Sequence, residues 1–133
     1  MVAAHAAQAY ARIGLETGVA SASPERLIVM LYDGAIAALN QARTHMASGS
    51  TAQKGQAIGK AIAIVDEGLK AAVDTSNGGA IARQLVELYD YIGQRLLAAN
   101  LRNDMAMLDE AARLLSELRA AWSALADRQG VPA

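Results

Sequence analysis

Residues 23–46, SPERLIVMLYDGAIAALNQARTHM, decide the fold. Ser23 is suited to an N-cap and Pro24 to the first helical position, and Glu25 sets an anion against the positive end of the helix dipole. A helix turns about 100° per residue. On that wheel Arg26, Asp33, Asn40 and Thr44 form one narrow polar stripe, and Leu27, Ile28, Leu31, Tyr32, Ala35, Ala38, Leu39 and Ala42 cover the rest. One neighbouring helix cannot bury so wide an apolar face. The helix is therefore central in its fold, or keeps part of its face for a partner.

Outward from this helix, the pattern is helical throughout. After the break at Ser48-Gly49-Ser50, a second helix is expected over about 51–73, with its stripe at Ile58, Ile62, Val65, Leu69 and Val73 and with Lys54, Lys60, Glu67 and Lys70 off it. Gly55, Gly59 and Gly68 each weaken that helix by about 1 kcal/mol relative to Ala. A polar turn follows at 74–79. A third helix is expected over about 80–101, with Ile81, Leu85, Leu88, Tyr89, Ile92, Leu96 and Ala99 on its inner face and Tyr91 among polar residues. Asp104 then caps a fourth helix running to about Arg128, whose apolar side carries Leu108, Leu115, Leu118 and Trp122. Long helices and short loops predict an all-α, antiparallel up-down four-helix bundle over residues 23–129. Residues 130–133 form a C-terminal tail. Residues 1–22, Ala-rich and interrupted by Gly14 and Gly18, read as a short cap helix or mobile arm whose sizeable apolar groups are Tyr10, Ile13 and Leu15. The triplet Leu-Tyr-Asp occurs at 31–33 and 88–90. Its two copies are expected to be inequivalent, because Tyr89 faces the core and Tyr32 sits at the border of its apolar face.

Composition narrows the chemistry. The chain has 133 residues, 53% of them apolar, with no Phe, no Cys and a formal charge of −1. Disulfides, thiolate metal sites and a Cys nucleophile are excluded, and near-neutral charge argues against nucleic acid and anionic membrane as partners. Neither a signal peptide nor a membrane span is read in the sequence, so direct membrane insertion is not expected. His5 and His45 lack the Glu three residues earlier that a carboxylate-bridged metal site in a bundle would use. His45 could instead be a phosphotransfer acceptor, although a His near a helix C-terminus is ordinarily explained by the dipole. No nucleophile elbow, phosphate loop or acid pair is present. The expectation is a protein that is not an enzyme, with no metal, no cofactor and no small-molecule substrate. What remains is surplus apolar surface, which argues for binding.

The residues Gln8-Ala9-Tyr10, Val19 to Pro24, Leu27 and Met30-Leu31-Tyr32-Asp33-Gly34-Ala35, followed by Leu88-Tyr89-Asp90-Tyr91, Arg95-Leu96, Ala99-Asn100, Leu114-Leu115, Glu117-Leu118-Arg119 and Trp122, resemble the FliS family of flagellar secretion chaperones. Ser21 stands where that family commonly has Thr. The resemblance implies a four-helix bundle with an N-terminal cap segment. It also implies a cytoplasmic chaperone that binds the disordered C-terminal region of flagellin, prevents its premature polymerisation and helps deliver it to a component of the flagellar type III export gate. The alternatives are a phosphotransfer-like signalling module and a bundle that oligomerises through its apolar face.

For such a client the candidate contacts are Tyr10 and Ile13 on the arm, Leu27, Ile28, Leu31 and Tyr32 on the wide face, and Tyr91 on the third helix. Each wide-face residue could equally serve the core.

Overall fold

The computed structural model describes residues 23–74 and 76–129. The arm expected at 1–22, with Tyr10 and Ile13, and the tail at 130–133 lie outside the described residues.

Helix α1 spans Pro24–Ala47 and α2 Thr51–Ala63; α2 continues as a π-helical segment, Ile64–Lys70. Helices α3, Gly79–Arg102, and α4, Met105–Gln129, complete the bundle. The caps expected from the sequence are made. Ser23 Oγ accepts from the Arg26 N–H at 3.1 Å, and Asp104 Oδ1 accepts from the Met107 N–H at 3.1 Å.

The wide face of α1 is explained by its place. It packs against α2 on one side and α4 on the other, while α3 packs against α4 and the π segment, so α1 and α3 stand diagonally across the bundle. Leu31, Tyr32, Ala35, Leu39 and Ala42 are consequently sealed in one core with Ile58, Ile64, Ile92, Leu96 and Leu115. Alanines at 35, 38 and 42 of α1 and at 57 and 61 of α2 let these two helices approach closely. The α1–α4 seam is edged by three ion pairs, Arg26–Asp127 at 2.8 Å, Asp33–Arg119 at 2.5 Å and Arg43–Asp109. Each step up α1 is a step down α4, as antiparallel helices require. All three pairs are partly exposed, so they set register more than they stabilise.

Two features differ from the sequence reading. The second helix is not a continuous α-helix to Val73. Its π segment, with wider i→i+5 geometry, turns Ile64, Val65, Gly68 and Leu69 together onto the buried face. Lys54, expected on the solvated side, is buried. Its ammonium donates to the Asn100 carbonyl at 3.1 Å and to Asn103 Oδ1 at 3.0 Å, satisfying acceptors at the C-terminal end of α3, where Asn103 takes a left-handed φ of 53°. A periodicity count cannot see this, because the partners lie almost fifty residues away.

Candidate binding groove

Where the π segment ends and α3 begins, the helices splay. The turn between them starts at Asp74, whose Oδ1 accepts from the Ser76 N–H at 3.1 Å, the Ser76 hydroxyl at 2.6 Å and the Asn77 N–H at 3.3 Å. These bonds, the Ser76 hydroxyl foremost, hold the Asp74 carboxyl below the usual carboxylate range. The Gly78 N–H donates to the Asp74 carbonyl at 3.0 Å, folding the turn onto the first turn of α3. A side chain at 78 has no room, since its Cβ would stand 2.4 Å from the Ala82 Cβ and 2.6 Å from the Asp74 carbonyl. Gly79 follows at φ +61°, a conformation that favours glycine.

This turn rims an open apolar groove of about 270 Å³, lined by Ile28 of α1, Leu69 of the π segment, Val73, Ile81 and Leu85 towards and along α3, and Trp122 of α4. Ile81 is 71% exposed, although the sequence placed it on the inner face of its helix. The reason is positional. It stands in the first turn of α3, where the departing π segment no longer covers it. Trp122, assigned by sequence only to packing, is half-buried and forms a wall of the groove.

Tyr89 also lines the groove, and its hydroxyl meets that of Tyr32 at 2.5 Å across the bundle diagonal, with ring centroids 6.5 Å apart. Tyr32 is therefore not at the border of its apolar face. It is fully buried, and the two Leu-Tyr-Asp triplets place equivalent tyrosines against each other. Burial raises both hydroxyls above their ordinary pKa, so both stay protonated.

Of the sequence candidates among the described residues, Ile28 alone lines this groove; Leu27, Leu31 and Tyr32 are buried in the core. Tyr91 is exposed on another edge, between α3 and α4. Its hydroxyl donates to Glu110 Oε2 at 2.7 Å, while Arg95 Nε donates to Glu110 Oε1 at 2.7 Å and the guanidinium lies over the Tyr91 ring at 5.9 Å. Ile81, Leu85 and Trp122 line the groove without being among the sequence candidates. The available signal was the Gly78-Gly79 pair, which marks where chain and core part.

The Tyr91 hydroxyl first, and then Arg95, hold the Glu110 carboxyl below its ordinary pKa of 4.5. As pH falls, the unfolded chain therefore takes up this proton before the folded one. The stabilisation is complete above pH 4.5 and is lost as pH drops through the lower folded value. Tyr91→Phe should flatten the acid limb of a melting-temperature profile between pH 5 and 3; an unchanged slope would show that the triad adds nothing.

The groove holds no reactive constellation. Among the described residues no group of three or more His, Cys, Asp or Glu is placed to hold a metal, and no helix is long and apolar enough to cross a membrane. His45 lies half-buried in the last turn of α1.

The sequence model described as "Flagellar protein FliS" matches residues 6–129, nearly the whole chain. The chain belongs to the FliS family. It is 48% identical over 128 residues to the Flagellar secretion chaperone FliS of Salmonella typhimurium, covering 96% of this chain and 95% of that one. It is 40% identical over 122 residues to the Escherichia coli protein of the same name, covering 92% and 90%. It is also 40% identical over 125 residues to Flagellar secretion chaperone FliSB of Pseudomonas aeruginosa, covering 94% and 98%.

Proposed function

We propose that this chain is a cytoplasmic export chaperone whose client is the C-terminal region of flagellin, held in an unassembled state until delivery to a component of the flagellar export gate. The observation that carries the reading is the groove between the π segment and α3, with Ile81 left largely exposed beside buried Ile28 and Leu69 and partly buried Val73, Leu85 and Trp122. A segment that is disordered when free loses conformational entropy on docking, and apolar contact along an open groove offsets that loss without any covalent step. The family membership supplies the flagellar context for the client.

The chain enters α1 at Ser23, five residues before Ile28 on the groove wall, about 7 Å along the helix axis. In this reading Tyr10 and Ile13 compete with the client for the groove, and the internal competitor lowers apparent affinity, which helps release at the gate.

Calorimetric titration with a peptide of the flagellin C-terminal region should show binding at or below tens of micromolar. Deleting residues 1–14 should leave the bundle folded and tighten that binding. No binding by the intact chain would sink the client assignment, and a collapse of thermal stability on deletion would make the arm part of the core instead of a competitor.

A further inference from the structure

The groove beside Ile81 has apolar walls and a single charged residue among those that line it, Asp74, in the turn between the π segment and α3. That turn accounts for one oxygen of the carboxylate. Oδ1 accepts from the Ser76 N–H, the Ser76 hydroxyl and the Asn77 N–H, whereas Oδ2 has only the Asn77 side-chain amide, at 3.4 Å. An asparagine would supply the same acceptor, so the negative charge is surplus to the turn. Among the described residues no cation forms an ion pair with Asp74; Lys70 pairs with Asp66 and Asp90, Arg26 with Asp127 and Arg119 with Asp33. The hydrogen bonds to the carboxylate, that of the Ser76 hydroxyl foremost, keep it ionised at neutral pH. The rim of an apolar groove thus carries an anion without a counter-ion.

We infer that Asp74 is a specificity-determining residue of the groove: the client segment that docks there presents a Lys or Arg at the rim beside Asp74, while its apolar side chains lie along Leu85 and Trp122. The inference rests on the client reading above, and adds to it the sign and the place of one client charge. A charge acts through water over about 8–10 Å at ordinary ionic strength, so a residue that lines the groove imposes its field on whatever fills the adjoining stretch. Docking removes water from that rim, which strengthens the pull on an opposite charge and the penalty on a like one. A client carboxylate there would face Asp74 with no cation to relieve it, and a neutral segment would dehydrate Asp74 without return. A cation avoids both costs. Apolar content admits a segment to the groove, and the cation selects among apolar segments.

The test titrates the flagellin C-terminal peptide into the full chain and into Asp74→Asn, at low and at high salt, with thermal melts of both proteins. The substitution keeps the acceptor that the turn uses, so the melting temperatures should stay close. At low salt Asp74→Asn should weaken binding about 3- to 5-fold, and at about 0.5 M salt, where the charge is screened, the two affinities should agree within about twofold. Peptides with one Lys or Arg at a time replaced by Gln then locate the partner. One of them should lose the same factor against the unsubstituted chain and nothing further against Asp74→Asn, as a coupled pair requires. Equal affinities at low salt, a loss that persists undiminished at high salt, or additive effects for every peptide would overturn the inference and leave the client reading standing. Absence of binding by the unsubstituted chain would overturn both. Should Asp74→Asn fail to fold, the peptide series against the unsubstituted chain decides: one Gln replacement should remove most of the salt dependence of binding, and its absence from all of them would count against the inference.

Discussion

Ile81→Asp should leave the bundle as stable as before and weaken flagellin-peptide binding at least about 30-fold. The stability expectation follows from place. Ile81 is 71% exposed and is the third residue of α3, where a carboxylate meets the positive end of the helix dipole. Little apolar burial is lost in the free protein, and the dipole returns a few tenths of a kcal/mol. In the complex the same carboxylate would be covered by an apolar segment with no cation beside it. An uncompensated charge of this kind opposes docking by about 2 kcal/mol or more, and about 1.4 kcal/mol is a factor of ten in affinity. Calorimetry and a thermal melt on the same sample measure both quantities. Undiminished affinity would move the client to another surface and remove the main support for the groove.

The converse substitution is Leu31→Ala. Leu31 has no exposed surface and is packed in the core that α1 shares with its neighbours. Truncation should lower unfolding free energy by about 2 to 5 kcal/mol, a large part of the roughly 5–15 kcal/mol that typical domains possess. The spread reflects how far the surrounding alanines can close over the cavity. Denaturant unfolding measures the loss. At a temperature where the variant is still folded, peptide affinity should remain within about threefold, because Leu31 does not reach the groove surface. A large affinity loss in folded protein would return Leu31 to the binding site. The two substitutions dissect α1 and α3 in opposite senses, one severing stability from binding and the other binding from stability.

That dissection marks the division between what periodicity reveals and what it hides. The bounds of the first, third and fourth helices were legible to within a residue or two, because Ser23 and Asp104 announce their caps and Ser48 to Ser50 and the 74–79 turn announce the breaks, whereas the second, expected to reach Val73, is α-helical only to Ala63 and π-helical to Lys70. The seal over Leu27, Leu31 and Tyr32 was undecidable from α1 alone, since a face that is too wide for one neighbour suits either two neighbours or one neighbour and a client. The exposure of Ile81 was hidden for the opposite reason. Its spacing is that of a core residue, but the element that would cover it has already turned away at Asp74. Lys54 and the Tyr32–Tyr89 bond escaped detection because their partners are distant in sequence, and a hydrophobicity pattern carries no record of which polar groups meet.

The sequence alone determined an all-α bundle, its caps and breaks, and the family to which the chain belongs, since these depend on local propensity and on residues read in order. Tertiary structure decided that α1 is flanked on both sides, that a π segment carries the second helix into the turn, and that the apolar surplus opens between that segment and α3. Those outcomes depend on how the helices splay around Gly78, where close contact with Ala82 and Asp74 leaves no room for a side chain, and splay is a property of packed elements that no single helix contains.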